Sequence, residues 1–155
     1  MIRWMVLAIA LICSLPTLHA QFEGTWGAGI HTGYASAAAR PGAGVHLHYY
    51  HTNSLRFVPS FTRYLERRGE RMWMAETDLH YILPLSYAAS LYPLAGIHYS
   101  NWHLDHLTRH RLGTSLGMGY QHELGYRVRA NLELKYQFIN DYSQLLLNAG
   151  IGFWF

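Results

Sequence analysis

The last eleven residues, 145–155, read LLLNAGIGFWF, and every second one is apolar: Leu145, Leu147, Ala149, Ile151, Phe153 and Phe155. The intervening positions are small or polar except at Leu146 and Trp154. Side chains alternate across a β-strand, so this stretch is a strand with one fully apolar face and one mixed face. An exposed Phe-Trp-Phe in water would leave a large apolar patch unburied. The chain must therefore supply either an apolar interior or an apolar surrounding for that face.

The other end narrows the choice. Arg3 gives a positive start, Met5 to Cys13 is an apolar run, and Ser14 to Ala20 is a polar exit containing Pro16. This pattern predicts a signal peptide over 1–20, cleaved after Ala20, with one domain over 21–155. Ile12, standing just before Cys13, argues against a lipoprotein leader. The apolar run is shorter than the roughly 20 residues of a spanning helix. Cys13 is the only cysteine, so residues 21–155 offer no disulfide framework and no thiolate metal site. The chain holds 12 Lys+Arg, one of them the leader's Arg3, against 9 Asp+Glu, a balance that does not suggest nucleic acid.

Alternation recurs along the rest of the chain. Period-2 segments are predicted over 22–36, 43–50, 55–65, 73–83, 88–102, 112–121, 128–138 and 144–155. Eight segments near the length of a tilted membrane strand predict an all-β, eight-stranded antiparallel up-and-down transmembrane β-barrel, preceded by the cleaved signal peptide. Pro59 and Pro93 interrupt two segments, and a bulge or register change is expected near Pro59. Loops are expected at 37–42, 66–71, 103–111 and 139–143, and tighter turns at 52–54, 84–87 and 122–126. With the N-terminus in the periplasm, the longer and more charged set faces outward.

Alternation alone also fits a soluble barrel with an oily interior. The composition of the polar rows favours the inverted arrangement. They are rich in glycine, and they carry Glu76, Asp78 and Glu133 beside Arg129, Lys135 and Arg56. Lys135 is the only lysine, whereas a solvated barrel exterior would carry several. Charged residues make up 14% and aromatic residues 15%, low and high respectively for a soluble domain. The aromatics of the apolar rows stand near segment ends, at Trp26, Tyr34, Trp73, Tyr81, Tyr120, Tyr136, Phe138, Phe153 and Phe155. Such girdles are what membrane–water interfaces select.

With the leader, the eight segments and the ending Gly150-Ile151-Gly152-Phe153-Trp154-Phe155, the chain resembles the small OmpA/OmpX-like outer-membrane β-barrel superfamily. The resemblance implies a monomeric, side-chain-filled barrel in the Gram-negative outer membrane. It implies a role in envelope integrity or in adhesion through outer loops, and no cofactor. The partners it implies are outer-membrane lipid and lipopolysaccharide, and the barrel-assembly machinery through the strand ending at Phe155.

Four groups of residues are candidates for function. Arg56, Glu76, Asp78, Arg129, Glu133 and Lys135 form an expected interior charge network, read either as a structural plug or as an ion path. Arg63, Arg67, Arg68, Arg71, Arg109 and Arg111 cluster toward the expected outer rim. Guanidinium forks bind phosphate bidentately, which points to lipopolysaccharide. His103, His106 and His110 flank Asp105, a set that would suit zinc or copper, but a loop fixes no ligand geometry and no metal is expected. His46, His48, His80 and His98 are expected to face the lumen. Finally, His98-Tyr99-Ser100-Asn101 is similar to the His-x-Ser-Asn stretch of the outer-membrane lipid A 3-O-deacylases. That similarity implies an alternative reading as a hydrolase, with His98 the general base, Ser100 the nucleophile and Asn101 beside them. The next segment, 112–121, carries no carboxylate to orient the imidazole, and His98 and Ser100 both project inward.

Overall fold

The structure, a computed structural model, describes residues 23–104, 107–140 and 142–155. The expected leader at 1–20 lies outside the described residues, as do Phe22, Asp105 and His106. Nine strands follow in chain order: β1 (Trp26–Ala35), β2 (Arg40–Tyr50), β3 (Leu55–Arg67), β4 (Glu70–Tyr81), β5 (Leu83–Pro84), β6 (Ala89–Leu104), β7 (Leu107–Glu123), β8 (Val128–Ile139) and β9 (Tyr142–Trp154). Each pairs antiparallel with its neighbours, β9 returns to β1, and β4 pairs with β6 to complete the ring. The two-residue β5 continues β4 in the same register against β6, since His80 faces Leu94 and Leu83 faces Leu91. The break between them lies opposite Pro93, which has no N–H to donate. The wall is thus a closed barrel of eight antiparallel strands, and closure leaves no sheet edge for most of its height.

The facing of the strands follows the alternation. Leu132 and Leu134 are 50% and 53% exposed, while Glu133 and Lys135 between them and beyond are 7% and 2% exposed. The same inversion holds on every long strand. Ile30, Val45, Phe61, Leu79, Ile97, Leu116 and Ile151 all lie on the outside. Hydrocarbon is the surrounding that satisfies such a surface. Aromatic pairs ring it near both rims. Trp26 lies against Tyr49, ring centres 4.7 Å apart, at one rim, and Phe61, Trp73 and Tyr99 follow one another at 5.6 and 5.5 Å toward the other.

Both ends of the described barrel share one rim, where the Phe155 N–H donates to the Trp26 carbonyl at 3.1 Å. The turns at 51–54, 85–88 and 124–127 lie at that rim. At the opposite rim, the expected loops are corrected. Among the described residues, 40–42, 66–67, 70–71, 103–104, 107–111, 139 and 142–143 are strand, and 36–39 and 68–69 are connections. Of His103 to Arg111, expected as the longest loop, the described residues 103–104 and 107–111 continue the β6–β7 ladder, with His103 opposite Thr108 and Asn101 opposite His110. Arg68 and Gly69 have φ of 55° and 79°, the left-handed pair that closes a two-residue hairpin.

The expected irregularity at Pro59 is also corrected. His46 faces Ser60 and Tyr49 faces Phe57, so the register runs unshifted past the proline, with only the intervening pairings missing. On the other side Pro59 stays paired with Thr77. The missing donor therefore costs local ladder bonds toward β2 and nothing more. The shift in β3 lies instead between Tyr64 and Arg67.

Inside, the bore is layered. Ala35, Tyr64, Met72, Met74 and Leu146, with Ala38 and Trp102 against them, fill it near the rim of short connections. Tyr50, Ile82, Tyr92, Leu94 and Trp154 fill it near the chain ends. Polar side chains occupy the space between. Glycine is required where a large side chain lies flat on the wall: a Cβ at Gly119 would enter the Tyr92 ring.

Candidate functional site

Lys135 is the centre of the bore. From β8 it crosses to β4, where its Nζ donates to Glu76 Oε1 at 2.9 Å and to Asp78, and it stands 3.6 Å from Glu133 Oε2. Each carboxylate has a further donor. Gln137 Nε2 donates to Glu76 Oε2 at 3.2 Å, Ser115 Oγ to Asp78 Oδ1 at 3.2 Å, and Tyr92 OH to Glu133 Oε1 at 2.9 Å. Gln144 Nε2 extends the chain to Gln137 Oε1 at 2.7 Å. Charges so deeply buried persist only when paired and hydrogen-bonded from several sides.

The arginines brace the end nearer the termini. Arg56 Nη1 donates to Gln121 Oε1 at 2.9 Å, and its Nη2 donates to His80 Nδ1 at 2.8 Å. Its guanidinium also sits 4.9 Å from the Tyr92 ring centre. Arg129 Nη1 donates to Tyr50 OH at 2.7 Å, pairs with Glu123, and lies 4.3 Å over Trp154. These bonds tie β8 to β4, β7 to β3, and β8 to β2, so they cross-link walls that do not touch as strands. On the β1–β2 side, His31 Nε2 meets Thr62 Oγ1 at 2.8 Å, and its Nδ1 lies 3.3 Å from His46 Nδ1. The cavity left among His31, His46, His48, Glu133, Lys135 and Asn148 measures about 30 Å³, room for about two waters.

The six residues expected as an interior network therefore form two groups: Lys135 with the three carboxylates, and the two arginines with tyrosines, Gln121 and His80. Tyr50, Tyr92, Glu123, Gln121, Gln137 and Gln144 were not singled out by their sequence. Inward parity on their strands marked them, but which residue meets which depends on strand tilt.

His98 and Ser100 are 1% and 0% exposed, and both face the bore. Neither His98 nitrogen nor Ser100 Oγ makes a hydrogen bond among the described residues, so no imidazole draws on the hydroxyl proton. His98 lies against Gly113 instead. Asn101 points the other way, its Nδ2 3.1 Å from His110 Nδ1. His98, Ser100 and Asn101 are thus not joined by hydrogen bonds, and His98 and Ser100 are buried in the bore. His103 Nδ1 lies 2.9 Å from Thr108 Oγ1, and among the described residues no three His, Asp or Glu side chains are grouped to hold a metal.

The rim arginines divide by facing. Arg63 and Arg71 point outward from β3 and β4, next to Trp73. Arg67 reaches the Ala39 carbonyl at 3.3 Å, and Arg68 sits in the turn. Arg109 and Arg111 lie on the bore-side row of β7, where Arg111 stands 5.7 Å over Trp102. Arg40, which the sequence did not single out, is buried and paired with Glu70.

No protein-family model matches the chain, and no curated protein does. Solved structures do. The N-terminal β-barrel domain of Pseudomonas aeruginosa OprF superposes with a TM-score of 0.75 at 16% identity, over 86% of this chain and 98% of that one. Neisserial surface protein A gives a TM-score of 0.63 at 16% identity, over 84% and 97%. The attachment invasion locus protein Ail of Yersinia pestis, in complex with the heparin analogue sucrose octasulfate, gives 0.61 at 14% identity, over 84% and 97%. These are small barrels with the wall described above. In fold, the chain is a small closed barrel of eight antiparallel strands, like the outer-membrane proteins on which it superposes.

Proposed function

We propose that the protein is a non-enzymatic, monomeric barrel of the Gram-negative outer membrane that supports envelope integrity and surface contact without conducting solutes. The observation that carries this is the bore: two apolar layers enclose a cross-linked polar layer whose free space is about 30 Å³. The signal peptide at 1–20 would direct export, and β9, ending beside Phe155, would present the assembly machinery with its apolar row. Surface contact falls to the arginine-bearing strand ends rather than to long loops. Arg63, Arg67, Arg68, Arg71, Arg109 and Arg111 suit the phosphates of lipopolysaccharide. The Ail complex with a sulfated heparin analogue supports the idea that a barrel of this fold accommodates a polyanion.

The purified, folded barrel should migrate faster on a gel unheated than after boiling, and should give no stepwise conductance in planar bilayers. Lipid A from expressing cells should keep its acyl pattern. Ion steps of reproducible size, or lipid A shortened by one chain in the wild type and not in Ser100→Ala, would overturn the reading.

A further inference from the structure

On the outward rows of the described strands, up to the shift in β3, the only arginine, lysine or carboxylate side chains are Arg63 and Arg71. Both stand on one facet. Arg63 is paired across the sheet with Ala43 on one side and Trp73 on the other, and Arg71 follows two residues before Trp73. A charged side chain facing lipid is costly near the midplane and nearly free at the interface. Trp73, in the aromatic belt with Phe61 and Tyr99, sets that interface at the height of Arg63.

Next to the two arginines the wall is hollowed. Thr32, Pro41, Gly42 and Ala43 are small or short, and with Leu65 and the arginines they border a groove of about 490 Å³ on the outside of the barrel. Larger rings flank it: Tyr34 is paired with Pro41, and Trp73 with Arg63. Arg63 has no hydrogen bond or ion pair among the described residues. Arg71 is held through Nε by Glu66 Oε2 at 3.1 Å, which leaves its terminal nitrogens outside that bond.

We infer that this facet is a seat for one phosphorylated, acylated glycolipid of the outer leaflet. The phosphate lies between Arg63 and Arg71, and an acyl chain lies along Thr32, Ala43 and Leu65. The inference rests on the lipopolysaccharide reading above and narrows it from six arginines to two. The charge complementarity is direct: two guanidinium groups at headgroup height, one of them unpaired, adjoin a trough that no side chain of the barrel fills. Glu66, whose Oε2 accepts from Arg71 Nε at 3.1 Å, opposes the phosphate in part.

The test uses the full barrel in phosphatidylcholine nanodiscs containing diphosphoryl lipid A, with native mass spectrometry counting the lipid A retained. One molecule should be retained per barrel. Arg63→Gln and Arg71→Gln should each weaken retention about tenfold or more, the scale of one charge-assisted hydrogen bond. Dephosphorylated lipid A should bind the wild type as weakly as those variants. Ala43→Leu fills the trough without touching charge and should weaken retention too, and Glu66→Gln should strengthen it. The quadruple Arg67→Gln, Arg68→Gln, Arg109→Gln, Arg111→Gln variant should bind like wild type. Loss in that variant with retention in Arg63→Gln and Arg71→Gln would overturn the seat and leave the rim reading standing. Retention that none of the arginine variants alters would overturn both.

Discussion

Lys135→Met should be the most damaging single substitution in the barrel. It leaves Glu76, Asp78 and Glu133 buried around a site that no longer holds a cation. Removing one member of a buried ionic group costs roughly 3–5 kcal/mol, because the desolvated partners stay behind. Equilibrium urea unfolding of the refolded barrel in detergent, followed by tryptophan fluorescence, measures it. Trp154 packs against Tyr50 and Arg129 and so reports the closed bore. Adding Glu76→Gln, Asp78→Asn and Glu133→Gln to Lys135→Met should recover most of the loss, since taking both signs away removes the stranded charge. If Lys135→Met alone unfolds like wild type, the bore is wetter than its packing shows, and the account of it as a seal is wrong.

The second large effect tests the facing of the wall. Leu134 lies at the middle of β8 and is 53% exposed, on the face opposite its neighbour Lys135. Leu134→Arg should destabilise the barrel in phospholipid vesicles by about 2–4 kcal/mol, the range for arginine at a bilayer midplane. Arginine at Phe153 or Tyr136, near the rims, should cost no more than about 1 kcal/mol. The depth dependence is the decisive readout, because a water-facing wall would show a small, uniform effect at all three positions.

Much of this was legible in the residues. Period 2 located every long strand, and the parity of Glu133 and Lys135 against Leu132 and Leu134 told which side was which. Histidines 46, 48, 80 and 98 fell on the bore side for the same reason. What failed was tied to places where alternation loses its meaning. Above the hydrocarbon, both faces of a strand meet polar surroundings. The run His103 to Arg111 therefore shows no apolar row and carries the signature of a loop, although Asn101 with His110 and His103 with Thr108 pair as strand residues do. Pro59 signalled a shift that the ladder absorbed by omission. The real shift, past Tyr64, has no proline or glycine to announce it.

The site was less legible than the fold. Six interior charges could be named from parity, but their partners could not, because Lys135 meets β4 only through the stagger of the closed ring. The deacylase-like stretch shows the converse. His98 and Ser100 share a face two residues apart, yet neighbours on one strand face point in parallel and do not bond here. Arg63 and Arg71 stood among six candidates, and only the facing of β3 and β4 separated them from the rest.

In the outer-membrane setting proposed above, the shortness of the connections at 36–39 and 68–69 would have a consequence for the cell that displays them. A protease must draw several residues into an extended cleft, and strands that turn back so soon offer it little slack. Antibodies and phage tails would likewise meet a constant pattern of side chains fixed by the backbone of the cylinder. A surface of this kind changes by point substitution at strand tips, not by swapping loops, and so diversifies slowly.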